Sequence, residues 1–455
     1  MNLEQLLKDE NYDFVEEFIT EQIKNFKSCS DYKKMEEGEL YYKQENIEIM
    51  KRTKNMRLKG KVISDPFEAN HKIASGYMKR LVKQKLNYSI NEYMTLTSDT
   101  QDIERIIKDL GRDFKKKLKE YGKEASKTSR VSWTPYIVDD KFKYKLLKSK
   151  QTIVKKEEDT ILYAIVFDSY KAELFTPNSY TLFKKEDDKY VKDGEVLPNV
   201  VKKVVVDGQI IEEKADTWGR TPLTLSWNNS DRETDLQPIK RYIDVYDIVN
   251  SDFANNLDEF QDVYWILENF QGENIEDFLE QVKLYKTLKV GEGGRAKPET
   301  IQIPVEARKV MLDITETNIY KDGFGFNSDK IGDGNITNVV IRSRYENLNM
   351  KANEFEEEMR EGIYQLLDFL NRYYEITNQE QIDPEEIEVN FDRTLIVNDL
   401  EYATLSNESK GFLSEQTRLK NDPRVTDVEK EIERMESDNA LNPISVGDSD
   451  DSENE

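Results

Sequence analysis

From residue 339 to residue 374 the apolar side chains keep one helical period without a break. Leu348, Ala352, Phe355, Met359, Ile363, Leu366, Leu370 and Tyr373 recur at steps of three and four. One helix over this stretch would be about 54 Å long at 1.5 Å per residue. That exceeds an ordinary globular helix and needs a large assembly or a kink to support it, with Gly362 the candidate kink site. Periodicity alone also fits the core helix of a helical domain, so the flanking sequence has to decide. Upstream, Pro304 stands where a first helical residue tolerates proline. Val305, Val310, Met311, Ile314 and Ile319 then supply an apolar stripe. Between the two helices lie Gly323, Phe324, Gly325, Phe326, Asn327, Ser328, Asp329, Lys330, Ile331, Gly332, Asp333, Gly334 and Asn335. Four glycines that accept positive φ predict a mobile loop here.

A second long helix is predicted from Leu236, where Ile239, Ile243, Tyr246, Val249, Phe253, Leu257, Phe260 and Tyr264 repeat at helical spacing. Tyr242, Val245 and Ile248 add a second apolar face. A helix apolar on two sides must be covered on two sides, by its own chain and by a neighbour. Residues 264–303 then read as a compact insert. Val263 to Leu267 and Ile301 to Ile303 are its strand candidates, and Ile275, Phe278, Leu279, Val282 and Leu284 mark a short helix. Two helices flanking a small αβ tip make a stalk with a head.

The remainder is mixed. Residues 1–125 read as helical, with Phe14, Phe18, Ile19, Ile23 and Phe26 on one face. A helix opens at Asp65-Pro66 and carries Ile73, Tyr77, Leu81 and Val82, and another runs over 102–121. The basic side of the latter (Arg112, Lys115, Lys116, Lys117, Lys119, Lys123) reads first as a solvated face and second as a phosphate-facing patch. From about 130 to 230 the texture is β-rich: Ile161 to Phe167 and Lys203 to Val206 are strands, and Asp193-Gly194 and Asp207-Gly208 are hairpin signals. Trp133, Trp218 and Trp227 are expected as core or interface anchors. After 374 come a strand pair (Ile387–Phe391 and Thr394–Val397) and helices, with a capping box at Ser414 to Thr417. Residues 437–455 form an acidic, disordered tail.

The 455 residues have room for two to four domains, and the formal charge of -24 argues against a surface that coats nucleic acid. A single cysteine, Cys29, excludes an internal disulfide; a polar start and short apolar runs predict neither signal peptide nor membrane span. With one histidine, His71, a zinc site or a Ser-His-Asp triad has almost nothing to be built from. Gly291 to Ala296 matches a loose dinucleotide pattern, yet Lys297-Pro298 follows where the phosphate-binding helix should run. No catalytic residue, metal or cofactor is therefore expected.

The order of these parts resembles the portal proteins of tailed double-stranded-DNA bacteriophages, in the branch typical of long-tailed phages of Gram-positive hosts. The resemblance is carried by Asn70-His71-Lys72-Ile73 with Tyr77 and Leu81-Val82-Lys83-Gln84-Lys85; by Trp218-Gly219-Arg220-Thr221-Pro222-Leu223 and Trp227-Asn228-Asn229; and by Ile243-Asp244-Val245-Tyr246-Asp247 with Ser251. Further on, Arg344-Tyr345-Glu346-Asn347-Leu348 with Lys351-Ala352, and Leu413-Ser414-Glu415-Gln416-Thr417, extend it. It covers roughly residues 40–436. The loop departs from the family pattern at Gly334-Asn335-Ile336-Thr337-Asn338, where a Ser-Gly-x-Ala-type segment is usual.

The resemblance implies a predominantly helical α+β portal fold that assembles as a homododecameric ring around a DNA channel. Residues 1–235 would be the wing, 236–263 and 304–322 the stem, 264–303 the clip, 323–338 the tunnel loop, 339–399 the long helix and wing return, and 400–436 the crown. The loop residues facing double-stranded DNA would be Phe324, Asn327, Ser328, Asp329, Lys330 and Asn335. Stem and oligomer packing would fall to Ile243, Tyr246, Val249, Phe253, Leu257 and Phe260. The clip, with Trp265, Phe278, Arg295 and Lys297, would meet the terminase large subunit and later a head-completion adaptor. Major capsid and scaffolding proteins would be further partners, with assembly in the host cytoplasm and a final place at the head–tail vertex of the virion. A non-viral helical scaffold is the alternative reading, and a metal-dependent nuclease a more distant one.

Overall fold

The long apolar period produces the helix it predicts, running from Asn338 to Ile376. A computed structural model describes residues 12–441 apart from 59–60, 65–68, 92–93, 207–208, 260–263, 269–294, 300–303, 328–337, 392, 394–403, 405, 422–424 and 426–427. The chain opens with α1 (Tyr12–Ser28), α2 (Ser30–Tyr42) and α3 (Ile47–Lys51), then a hairpin of β1 (Asn55–Leu58) and β2 (Lys61–Ser64). Helix α4 (Tyr77–Ser89), β3 (Thr95–Thr97), α5 (Ile103–Leu110) and α6 (Phe114–Thr128) follow. The β-rich part holds β4 (Arg130–Val138), β5 (Lys141–Leu147), β6 (Thr152–Glu157), β7 (Thr160–Phe167), β8 (Lys171–Phe175), β9 (Ser179–Glu186) and β10 (Lys189–Lys192). It closes with β11 (Leu197–Pro198), β12 (Val200–Val206), β13 (Gln209–Asp216) and β14 (Ser226–Trp227). Then come α7 (Lys240–Glu259), β15 (Tyr264–Glu268), β16 (Arg295–Glu299), α8 (Val305–Asp322) and α9 (Asn338–Ile376). Strand β17 (Glu388–Asn390), α10 (Glu415–Asn421) and α11 (Val428–Leu441) complete the chain.

Helix α9 is the axis of the main core. Phe355, Met359, Ile363, Leu366 and Leu370 are buried against Leu81, Val82 and Leu86 of α4, Leu118 and Tyr121 of α6, and Trp133 of β4. The helix passes through Gly362 unbroken. A methyl group there would run into Ser226 Oγ and come within 2.9 Å of Tyr121 Oη. The glycine thus marks a close approach of α9 to β14 and to Tyr121 of α6. Gly362→Ala pits about 1 kcal/mol of better helix propensity against overpacking of about 1–3 kcal/mol. Overpacking wins because Tyr121 is itself fixed, donating to Ser226 Oγ at 3.0 Å and stacked on Trp133 at 3.8 Å. Urea unfolding should show a net loss of stability.

The strands of the β-rich part pair antiparallel: β14-β4-β5 form one sheet, β12-β13 a pair, and the largest sheet runs β10-β9-β8-β7-β6 with β11 added beside β9. Its inner face takes α1: Val15, Ile19 and Ile23 are buried with Ile165, Phe167, Leu174 and Phe183. Phe18 and Phe26 pack at the edge of this cluster, but Phe14 turns outward and is exposed. Strands β12 and β13 pair with Val206 opposite Gln209, as a two-residue connection at Asp207-Gly208 requires. Asp193-Gly194 is not a hairpin turn. The β9–β10 turn lies earlier, at Asp187 (φ 53°), and Gly194 (φ 83°) leads into β11. Trp133 and Trp218 are core residues; Trp227 is half-buried under the Arg232 guanidinium.

Several boundaries differ from expectation. The helix predicted over 102–121 is two helices, α5 and α6, because Gly111 adopts φ 95° between them. Three of its basic residues have partners within the subunit: Lys117 sits 3.1 Å from Asp113, Lys123 pairs with Glu120, and Lys119 donates to Asn87. Strand β17 pairs with β3, nearly 300 residues earlier, rather than with 394–397, which lie outside the described residues. Pro304 caps α8 instead of beginning it. Ser414 Oγ accepts from the Thr417 N–H at 3.3 Å, as a capping residue should. Helix α11 continues to Leu441, so the predicted tail is helical over 437–441; 442–455 lie outside the described residues.

Candidate functional site

The connection between α8 and α9 starts from a fixed base. Gly323 does not need its glycine freedom (φ -82°); the positive φ belongs to Phe324, at 53°, whose side chain is exposed. Gly325 is glycine for space, since a Cβ would overlap Leu81 Cδ2. The Phe326 N–H donates to Gln84 Oε1 at 2.9 Å and Gln84 Nε2 donates back to the Phe326 carbonyl at 2.7 Å. The Phe326 ring stacks on Tyr345 of α9, centroids 4.4 Å apart, and Tyr345 stacks in turn on Tyr88. Of the expected loop residues, Phe324 and Asn327 are thus placed at this base. Ser328, Asp329, Lys330 and Asn335 lie outside the described residues.

Beneath this base is a buried charge network. Lys85 Nζ donates to Asn228 Oδ1 at 2.7 Å and pairs with Asp235 at 2.9 Å, both of their side chains only 1% exposed. Asn228 Nδ2 donates to Asp235 Oδ1 at 2.9 Å. Lys351 Nζ stands 3.4 Å from the same carboxylate and donates to the Gly323 carbonyl at 2.9 Å. Burial pushes the Lys85 ammonium down to about 8, against the pull of Asp235 and with the push of Lys351. Burial alone would raise Asp235; the two ammoniums, Lys351 before Lys85, and the Asn228 amide bring it to about 2 instead. One anion therefore holds two cations inside the protein.

Helices α7 and α8 lie side by side. Their bases pack on Tyr77 of α4, which meets Tyr246 and Tyr320 edge-on at 5.0 and 6.0 Å. Ile243 is fully buried in its own subunit's core, Tyr246, Val249 and Phe253 are half-covered, and Leu257 is exposed; Phe260 lies outside the described residues. Above Ile243 the covered face of α7 turns polar: Asp247, Ser251 and Asn255 are all buried. They are occupied by an extended segment, not by the helix predicted after Pro66. The N–H groups of Ser75, Ile73 and His71 donate to Asp247 Oδ1 (2.9 Å), Ser251 Oγ (3.0 Å) and Asn255 Oδ1 (2.6 Å). Two residues of extended chain advance about 6.6 Å and four residues of helix about 6 Å, so alternate amides meet every fourth side chain. His71 itself is exposed, its ring against Asp258.

On α8, Val310, Met311 and Ile314 are each between 42% and 53% exposed. At about 3.6 residues per turn they share the face opposite the buried Thr315, Ile319 and Tyr320. At the far end of the pair, β15 and β16 form a two-stranded antiparallel ribbon, Trp265 opposite Pro298 and Lys297 opposite Ile266. The second strand is Arg295–Glu299, ahead of the strand expected at 301–303; 301–303 and Phe278 lie outside the described residues. An extended 295–299 leaves no helix after Gly294 for a dinucleotide.

Comparison with known proteins settles the family. The profile described as "Phage portal protein, SPP1 Gp6-like" matches residues 24–441. The chain belongs to this portal family. The portal protein of Bacillus phage SPP1 is 28% identical over 419 residues, which are 88% of this chain and 82% of that protein. The portal protein of Clostridium phage phiCD119 is 29% identical over 388 residues, 80% of this chain and 83% of the relative. Among solved structures, a chain from the neck of a native gene transfer agent particle aligns at a TM-score of 0.42 and 12% identity, covering 76% of this chain and 89% of that one. The function is that of a phage portal protein, a structural component of the phage head, and the non-viral scaffold reading is set aside.

The portal motifs turn out to be one another's partners. The segment at 70–73 is bonded to the one at 243–251, and Gln84-Lys85, Asn228 and Tyr345 to Lys351 meet around the base of the loop. Asp235, which ties three of them together, belongs to no motif. It has one sequence-level signal: Lys85 and Lys351 each sit on an otherwise apolar helical stripe, and a buried ammonium calls for an anion. Among the described residues no helix is long and apolar enough to cross a membrane, and no group of three or more His, Cys, Asp or Glu is arranged to hold a metal ion.

Proposed function

We propose that this portal protein assembles as a closed ring, twelve copies in the virion, around an axial channel that passes double-stranded DNA. Helices α7 and α8 are its stem, 264–303 its clip, 323–338 its tunnel loop and 400–436 its crown. The observation that carries this is the apolar face of Val310, Met311 and Ile314 on α8, which the described residues leave about half exposed. A second copy placed beside the stem buries it. Val249, Phe253 and Leu257 of α7 supply the apolar partners, and the ring closes by repetition of one heterologous contact.

DNA in such a channel has to slide. Phosphate affinity comes mainly from Lys and Arg with counterion release, and a chain of net charge -24 keeps it low. Lys330 gives the loop a single positive contact that reads no sequence. The clip ribbon with Arg295 and Lys297 meets the terminase large subunit first and the head-completion adaptor later, while capsid and scaffolding proteins meet the wing. Deleting 327–335 should leave ring assembly and subunit number unchanged and abolish DNA packaging or retention in infected cells complemented with the variant. Rings that no longer form, or heads that fill normally, would refute the role given to the loop.

A further inference from the structure

A cavity of about 460 Å³ opens where α1, α2, α6, the β5–β6 connection and the end of β7 meet. Its walls come from both main hydrophobic clusters: Phe167 is buried with α1 against the sheet, while α2 and α6 send Tyr41 and Leu118 into the core around α9. Five lysines converge on it. Two are neutralised within the subunit, Lys127 by the buried Glu124 at 2.6 Å and Lys150 by Glu39 at 3.3 Å. The remaining wall carboxylate, Asp168, accepts the N–H groups of Tyr170 and Lys171 at 2.7 and 2.9 Å.

That leaves Lys27 at the end of α1, Lys43 just after α2 and Lys148 just after β5. Among the described residues none of the three has a carboxylate within 4 Å; Lys27 has only the Phe167 ring, at 5.1 Å. Like charges gathered round one cavity repel one another. In a chain with 91 acidic and 67 basic residues, such a surplus of ammoniums runs against the composition. Three point-charge donors from three separate segments match a ligand that packs several negative charges into a small volume. A di- or triphosphate does this, and lysine binds phosphate as a point charge. The volume falls within the range of small-molecule sites, about 300–1,000 Å³, and Tyr32 and Tyr42 line the same space and offer ring surface to a nucleoside.

We infer that this cavity is a binding site for the di- or triphosphate group of a small molecule, held by Lys27, Lys43 and Lys148. Inorganic pyrophosphate and a nucleotide present the same chemistry to the lysines and differ in what they ask of the tyrosines. An occupant joins α1 and its sheet to α6, so the loaded wing resists unfolding by mass action.

Titration calorimetry on the full-length protein, at fixed ionic strength, tests this with pyrophosphate, ATP, AMP and adenosine. Pyrophosphate and ATP should bind once per subunit, AMP about tenfold or more weakly, and adenosine not at all. ATP binding tighter than pyrophosphate makes the ligand a nucleotide, and equal affinities make it the phosphate group alone; either result upholds the site. Lys27→Gln, Lys43→Gln and Lys148→Gln are at exposed positions and leave the fold intact. Each should weaken binding about tenfold, the factor lost with one charge-assisted hydrogen bond. Lys143→Gln, exposed on β5 and outside the cavity, should change nothing. The melting temperature should rise with ATP in the wild type and stay fixed in the Lys27→Gln, Lys148→Gln double variant. Absence of binding by both pyrophosphate and ATP overturns the inference, as does binding that survives all three substitutions. A poly-glutamate peptide that binds where the phosphates do not, and is lost in the same variants, overturns it in favour of an acidic protein partner.

Discussion

Asp235→Ala is expected to destabilise the folded subunit by about 3–5 kcal/mol, the usual cost of stranding a buried charge. Two ammoniums depend on this one carboxylate, and neither has another anion within bonding distance in the network: Lys85 is left with the Asn228 amide oxygen and the Phe355 ring at 4.4 Å, Lys351 with the Gly323 carbonyl. Removing a cation should cost much less. In Lys85→Met the carboxylate keeps Lys351 and the Asn228 amide, and an apolar side chain of similar length fills the space beside Phe355. The expected loss is below about 2 kcal/mol. The asymmetry is the diagnostic, because an isolated ion pair would lose similar amounts from either side. Urea unfolding followed by tryptophan fluorescence measures both. Equal losses would show that the two lysines do not share the anion.

The second large effect is on assembly. Val310→Asp with Ile314→Asp places two carboxylates on a face that is more than half exposed at both positions in the single subunit. The isolated subunit should fold as before, with unchanged circular dichroism and melting. The ring should not form, since two charges would have to be buried against apolar α7 side chains at several kcal/mol per contact, repeated at every interface. Sedimentation should find monomers for the double variant and, on this account, rings for the unmodified chain. Rings of normal mass from the double variant would move the subunit contact away from α8.

How much of this was legible in the sequence depends on the range of the forces concerned. Helices α7, α8 and α9 follow from local apolar spacing, which is why their centres match and only their ends shift. Where a backbone group is claimed by a distant side chain, local pattern fails. Residues 70–76 carry a helix-like spacing, yet their amides belong to Asp247, Ser251 and Asn255, and nothing near position 73 announces that. Strand β17 has a plausible hairpin partner close by and pairs instead with Thr95–Thr97. Gly362 read as a weakness in a helix because the tyrosine and serine that demand its small size are 241 and 136 residues away. The base of the loop was visible only in pieces. Gln84, Lys85, Asn228, Tyr345 and Lys351 were marked by resemblance, and Asp235, which makes them one network, was not.

Electron microscopy of the purified full-length chain tests the central claim most directly. The account predicts closed rings with an open centre, stems side by side, and the Val310–Ile314 face inside the contact between neighbours. Single subunits or pairs under every assembly condition tried, from a preparation whose core is intact by unfolding, would contradict it.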